Sequence, residues 1–398
     1  MANILPRSLR AVGSGLRTGW LILGILLLLI VVGEVGLRLA LTAKDRLVRQ
    51  SRTEHRIDQP AQVSAYHEEE LDATKRYVWQ PYVYWRHPPY QGRHVEVDRN
   101  GLRATWNPPS RDTAAAPTPV RVFAFGASTL WGSGARDDYT IASHLSKLLH
   151  ERGYRAEVTN YGQLGYVSTQ SAIVLLRCLH RGEIPDIALF YDGVNDLIAS
   201  HTHDAAGVSV NEWLRRAEFD LPNRPHRLLR YSGRQFPAKG LWGFGRLAAG
   251  LRRRLRSAPD DRSRTQPLSD ELARQTLHVY TANLAFIESL GQPYGFEPLF
   301  YWQPNIFSKR RRSPREQVAA ERLLLSEKVY EDMYRRVRRS AALNGQPRFH
   351  DISGLFDDVE ESYYVDMWHL SESGNQLVAA AMVDDVIALI ERRRSAVE

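Results

Sequence analysis

Residues 120–134 read V-R-V-F-A-F-G-A-S-T-L-W-G-S-G. The unbroken apolar run Val122, Phe123, Ala124, Phe125 suits a strand of a parallel sheet buried on both faces. Gly126 and Ala127 let the backbone turn sharply where that strand ends, and helical patterning begins near Thr140. Open α/β sheets bind their ligands at the carboxyl ends of their strands. Ser128 therefore stands where a nucleophile would, although a tight turn closed by small residues would be spelled the same way.

Outward from this stretch, strands and helices alternate. Ile141, Leu145, Leu148 and Leu149 form a helical stripe, and residues 157–160 make a short strand. Residues 161–166, Y-G-Q-L-G-Y, form a glycine-containing loop, followed by a helix over 168–181. A third strand over 187–191 runs into D-G-V-N-D. A helix over 270–290 and a strand over 298–302 follow. Ser313, Pro314 and Glu316 supply an N-cap, a first-turn proline and a capping-box glutamate for a long helix ending near Asn344-Gly345. Residues 349–352 suit a last strand, and 371–392 a final amphipathic helix with Leu377, Val378, Met382, Val386, Leu389 and Ile390 on its apolar face. This alternation predicts a parallel sheet covered by helices on both faces.

The regions around this domain differ in character. Residues 1–18 are a basic amino-terminal tail, and residues 19–41 are apolar until Glu34 and Arg38. That span is long enough to cross a bilayer core of roughly 30 Å at about 1.5 Å per residue. Glu34 and Arg38, four apart, can pair on one helical face. An uncleaved single-pass anchor is the expectation, since no clean cleavage site follows. Basic residues lie on both sides of the span, so the positive-inside count does not favour a carboxyl-terminal domain outside the cytoplasm. Residues 42–119 form a lead-in and linker, rich in aromatics, with a hairpin signal at Asn100-Gly101 and a Pro/Ala/Ser-rich stretch over 105–119. A small β-rich unit packed on the main domain is expected. The domain itself spans 120–398 and carries a basic insertion at about 201–268, within which residues 221–258 contain no acidic residue. The insertion reads either as a solvated loop or as a contact for anionic lipid or an acidic polymer.

Composition narrows the classes. The chain has 398 residues, 43% of them hydrophobic, and a net charge of +8. That charge suits anionic partners, but no nucleic-acid-binding motif is present. The single cysteine, Cys178, excludes an internal disulfide framework and a cysteine-based zinc cluster, and its apolar setting marks it as a core residue. His201, His203 and Asp204 have ligand chemistry, but no further ligand cluster accompanies them. We expect no metal and no cofactor.

Three polar signals lie at strand-to-loop boundaries or before the last helix: Ser128, Asn195 in G-V-N-D, and Asp366 with His369 in D-M-W-H. A serine hydroxyl needs a base to take its proton, and histidine does this near neutral pH. The histidine needs an acceptor on its other nitrogen, and a carboxylate three residues earlier on one loop can reach it. The oxyanion then needs donors. The backbone N–H groups of Ser128 and Gly165 and the side-chain amide of Asn195 are the candidates. Gln303, after the strand ending at Trp302, is assigned to the substrate cleft by position.

Taken together, this set resembles the SGNH, or GDSL-type, hydrolase superfamily. Ser128 in F-G-A-S-T-L-W-G matches its first block. Gly165 in N-Y-G-Q-L-G-Y matches its second, Gly162 being the other glycine of that loop. Asn195 matches its third, and Asp366 with His369 its last. One departure is Ala127, where many members carry the aspartate of G-D-S. The resemblance implies a flavodoxin-like three-layer α/β/α sandwich and metal-free ester or acyl-transfer chemistry. It is similar in particular to membrane-anchored members that face away from the cytoplasm and act on acylated surface polysaccharides. The expected activity is hydrolysis of an acylated glycan or related ester. Transfer of an acyl group to a polysaccharide hydroxyl would use the same residues. An inert surface protein holding an anionic polymer is the reading from another class.

Overall fold

The structure, a computed structural model, describes residues 7–54, 61–109, 118–223, 268–321 and 326–395. It divides into two units, Met1–Gln59 with Arg216–Asp261, and Pro60–Arg215 with Arg262–Glu398. In the first, helix α1 (Arg7–Glu54) contains a stretch, Gly19–Lys44, long and apolar enough to cross a membrane. Its apolar side chains are almost wholly exposed among the described residues, while Glu34 is buried. Arg38 Nε donates to Glu34 Oε1 at 2.7 Å, the pairing that their spacing predicts. Most of the basic insertion, residues 224–267, lies outside the described residues, as do residues 110–117 of the linker.

The second unit opens with helix α2 (Ala61–Thr74) and four short strands, β1 (Val78–Gln80), β2 (Tyr84–Arg86), β3 (Tyr90–Gln91) and β4 (Glu96–Val97). A β-rich lead-in was the expectation, and α2 departs from it. Its buried face is Tyr66, Glu70 and Ala73, a helical spacing that holds a glutamate where apolar periodicity is normally read. The Asn100-Gly101 turn is present: Asp98 N donates to Leu102 O at 2.9 Å, and Val97 bridges Arg103. Arg103 also bridges Asn160, so the lead-in docks on the edge of the main sheet.

That sheet holds β5 (Val120–Gly126), β6 (Ala156–Asn160), β7 (Ile187–Asp192), β8 (Glu297–Trp302) and β9 (Phe349–Asp351), all parallel, in the order β6-β5-β7-β8-β9. This is the flavodoxin-like order, with its reversal at β5. The register aligns Phe125, Phe190 and Phe300 on adjacent strands, and their rings stack at 4.9 and 5.4 Å. Parallel strands buried on both faces need such continuous apolar runs, and residues 122–125 are fully buried.

The helices of this unit are α3 (Ser128–Trp131), α4 (Ile141–Glu151), α5 (Ser168–His180), α6 (Val194–His203), α8 (Asp270–Tyr294), α9 (Pro314–Ala320), α10 (Glu327–Arg339), α11 (Ala341–Asn344) and α12 (Glu372–Ser395), while α7 (Glu212–Asn223) has most of its residues in the first unit. Helices α4 and α12 pack together, as do α5 and α8. Right-handed crossovers on either side of β5 place these pairs on opposite faces. Helix α12 is also long and apolar enough to span a membrane, but it is half buried and supplies core residues Val378, Met382 and Val386. Cys178 is fully buried in the core. The capping box at Ser313 and Glu316 forms. The single long helix expected after it is instead α9, α10 and α11. Ser340 caps the last of these, its side chain accepting from Leu343 N, and residues 322–325 between the first two lie outside the described residues.

Candidate active site

Strand β5 ends at Gly126, where a Cβ would lie 2.5 Å from the Tyr191 carbonyl oxygen, so only glycine lets β7 run this close. Ala127 follows in an extended conformation and offers no side-chain cap to α3. Ser128 is the first residue of that short helix and is 9% exposed. Its backbone N–H has no acceptor among the described residues.

The D-M-W-H segment is a tight loop closed by main-chain bonds from Val365 N to His369 O (2.9 Å) and from Ser371 N to Tyr363 O (2.7 Å). Inside it, Asp366 Oδ1 accepts from Trp368 N (3.0 Å) and His369 N (2.8 Å), an Asx turn. This leaves Oδ2 to accept from His369 Nδ1 at 2.7 Å. With its Nδ1 proton held there, the ring presents Nε2 as an acceptor, 2.8 Å from Ser128 Oγ. Arg136 ties the segment after α3 to the first turn of α12 through two 2.7 Å bonds to Glu372. Ser128, Asp366 and His369 are thus joined in one line of contacts at the sheet's carboxyl edge.

Electrostatics follow from these contacts. Burial pushes the Asp366 carboxyl up, but the His369 charge, the Nδ1 hydrogen bond and the two backbone N–H groups outweigh it and hold it down at about 2. Burial likewise pushes His369 down, but the Asp366 charge and hydrogen bond, with a smaller contribution from Glu70, raise it above its ordinary value. The histidine is a stronger base than a free imidazole, opposite an ionised carboxylate.

The loop after β6 docks against the end of β5, with Gln163 N donating to Gly126 O at 3.1 Å. Gly165 sits in the left-handed region at φ +77°, half-exposed, and its N–H has no acceptor among the described residues. Gly162 instead backs onto Trp131. Asn195 Nδ2 donates to Tyr166 O at 2.9 Å, which fastens α6 to this loop. A primary amide has two N–H groups, so a second donor remains. Gln303 is 1% exposed and lies beneath α3, where the Thr129 hydroxyl is 3.5 Å from its Oε1 and the Tyr334 hydroxyl donates to its carbonyl. It does not line an open cleft. His203 Nε2 hydrogen-bonds Val210 O at 3.1 Å. A cavity of about 450 Å³ lies between the lead-in and α5, lined by Arg86, Gln163, Tyr166 and Arg177 among others, and Ser128, Asp366 and His369 do not line it.

Two further residues support the site from positions distant in sequence. Arg103, with a fully buried side chain, donates to Gly132 O (3.0 Å), Ala135 O (2.7 Å) and Asp137 Oδ1 (2.7 Å) and lies over the Trp131 ring at 4.2 Å. It braces the turn after α3. Glu316 takes its capping-box role with Oε2, while Oε1 accepts from Tyr363 N (3.0 Å) and Tyr364 N (3.3 Å), at the entry to the D-M-W-H loop. The capping box was legible, but this second role depends on a contact distant in sequence.

The fold and these contacts define a serine–histidine–aspartate arrangement on a flavodoxin-like sheet. No family model and no curated protein matches the chain. Among solved structures it is similar to the acetyl xylan esterase AlAXEase, at 15% identity over 67% of this chain and 100% of that one, with a TM-score of 0.37. It is also similar to a catalytic mutant of Axe2, an acetylxylan esterase from Geobacillus stearothermophilus, at 13% identity over 67% and 94%, with a TM-score of 0.35. A member of the lipolytic G-D-S-L family from Veillonella parvula DSM 2008 is similar at 9% identity over 67% and 97%, with a TM-score of 0.35.

Proposed function

We propose that the chain is an SGNH-type serine ester hydrolase, acting on an acylated glycan or related ester and tethered to a membrane by α1. The observation that carries the chemistry is the unbroken line Asp366 Oδ2–His369 Nδ1 (2.7 Å) and His369 Nε2–Ser128 Oγ (2.8 Å). In this reading Ser128 Oγ attacks the ester carbonyl carbon as its proton passes to His369 Nε2, and the carbonyl electrons move onto oxygen. The N–H groups of Ser128 and Gly165 and the Asn195 amide receive that oxyanion. The tetrahedral centre collapses, the C–O bond to the leaving alcohol breaks, and His369 returns the proton to that alcohol. Water, deprotonated by the same nitrogen, then releases the acid from the acyl-serine.

The glycan, and a domain facing away from the cytoplasm, rest on the resemblance of the motif set, and the anchor on the apolar stretch Gly19–Lys44. Ser128→Ala tests the chemistry. Release of p-nitrophenol from short acyl esters is expected to fall to background, with labelling by a fluorophosphonate probe lost and the melting temperature unchanged. Wild-type turnover in that variant overturns the reading.

A further inference from the structure

The cavity of about 450 Å³ between the lead-in and α5 is lined by three guanidinium groups, those of Arg86, Arg177 and Arg181, and by one carboxylate, that of Glu183. Arg181 and Glu183 pair with each other through two bonds, Nε to Oε1 at 2.8 Å and Nη2 to Oε2 at 2.6 Å. Arg86 and Arg177 have no carboxylate partner among the described residues. Each donates from Nη1 to a main-chain carbonyl at 3.1 Å, Arg86 to His87 O and Arg177 to Pro81 O. Those bonds hold both side chains in place and leave the other N–H groups of each fork without an acceptor among the described residues. The cavity therefore carries two guanidinium charges beyond what its one carboxylate balances.

Aromatic rings complete the surroundings. Tyr161 and Tyr166 line the cavity, and rings with a few fixed polar groups are the usual make-up of a small-molecule site. The hairpin β1–β2 forms one wall through Gln80, Val83 and Arg86. The same hairpin leaves Trp79 62% and Tyr82 77% exposed, two large rings beside a charged cavity. Tyr82 stands at φ +68°, a strained conformation for a tyrosine, of the kind retained at ligand sites. The cavity also adjoins the candidate oxyanion loop: Gln163 and Tyr166, which line it, bracket Gly165, and Trp85 Nε1 of β2 donates to Leu164 O at 2.9 Å.

We propose that this cavity binds an acidic saccharide, with Arg86 and Arg177 holding a sugar carboxylate and the rings of Trp79 and Tyr82 receiving neighbouring sugar units. A guanidinium fork matches a carboxylate with two parallel bonds, and the apolar face of a sugar buries against an aromatic ring. A small free anion would meet the arginines and none of the rings, so the two features together select a charged sugar. As an anchor for substrate the site rests on the hydrolase reading above; as a binding site it does not.

The test is titration calorimetry on the full chain in detergent micelles, with trigalacturonate as the probe and maltotriose as its uncharged counterpart. Trigalacturonate is expected to bind saturably and to weaken as salt rises, with maltotriose roughly tenfold weaker or more. Arg86→Gln and Arg177→Gln each remove one guanidinium and should weaken trigalacturonate binding roughly tenfold. Trp79→Ala should weaken it a few-fold and leave its salt dependence as it was. Arg152→Gln removes an exposed charge that does not line the cavity, and affinity should stay at the wild-type value. Should a glutamine variant not fold, lysine at the same position keeps the charge without the fork and gives a smaller loss in the same direction. Absent binding, equal affinity for maltotriose or for acetate, wild-type affinity in the arginine or Trp79 variants, or an equal loss in Arg152→Gln overturns the proposal. If the wild type binds trigalacturonate but neither turns over esters nor takes a fluorophosphonate label, the hydrolase reading fails and this site stands.

Discussion

Replacing Asp366 by asparagine separates the two things this carboxylate does. The first is charge. Its carboxyl lies at about 2 against an ordinary 3.8, which at about 1.36 kcal/mol per pH unit is ~2.4 kcal/mol of preference for the ionised form, shared among the His369 charge, its Nδ1 hydrogen bond and the backbone N–H groups of His369 and Trp368. The backbone bonds survive in asparagine and the side chain is 42% exposed, so about 1–2 kcal/mol at most belongs to the charge, a roughly 5- to 30-fold effect on rate. The second is the tautomer. Oδ1 accepts from two backbone N–H groups, those of Trp368 and His369, so an asparagine must turn its carbonyl oxygen there. Its NH₂ is then aimed at His369 Nδ1, which must become an acceptor. The ring proton moves to Nε2 and points at Ser128 Oγ, and the base can no longer accept. In a triad this loss is about 10⁴-fold in kcat. Asp366→Ala loses the same charge but leaves Nδ1 free to keep its proton, so it should be the milder variant. The assay is p-nitrophenyl acetate turnover at pH 8, with melting temperature as the control. A loss below about 30-fold in Asp366→Asn, or a greater loss in Asp366→Ala, would refute the tautomer argument.

Two further outcomes follow from buried carboxylates. Burial, opposed by hydrogen bonds from Ser168, raises Asp196 from 3.8 to about 6. A carboxyl raised on folding favours the fold most below its unfolded value, and that advantage is lost as pH rises through its folded value. Asp196 should therefore lower stability between about pH 4 and 6 by as much as ~3 kcal/mol, and calorimetry should find the fall reduced in Asp196→Asn, the remainder coming from Asp192, which burial and the Asp196 charge also hold well above its ordinary value. Lys309 and Glu316 pair at 2.7 Å with both side chains fully buried, so Glu316→Gln strands a buried ammonium and should cost about 3–5 kcal/mol in denaturant unfolding. No measurable change would place Lys309 in contact with water.

Much of the sheet was legible because its strands are short apolar runs between helical stripes, and a change of period survives without any contact information. Ser128, Asn195 and the Asp366–His369 pair were legible for a different reason: each is a polar residue at a point where the apolar pattern stops. Arg103 and the second role of Glu316 were not. Each is a charged residue whose part is set by a partner far along the chain. The break between α10 and α11 has no distinct sequence signal, because serine is tolerated inside helices as well as at their starts.

Ala127 shows how far a motif departure reaches. Where many members of the resembled superfamily carry aspartate, this chain has a methyl group that caps nothing, and Ala127 is itself buried. The line from Asp366 through His369 to Ser128 makes no use of that position, since the serine is oriented by Nε2 and by the turn at Gly126. An aspartate at 127 would bring an acceptor to the start of α3, where it would compete for first-turn N–H groups that here have none. The Ser128 N–H has no acceptor among the described residues, which suits the oxyanion role proposed for it above, and whatever the substitution alters lies in the local hydrogen bonding of α3.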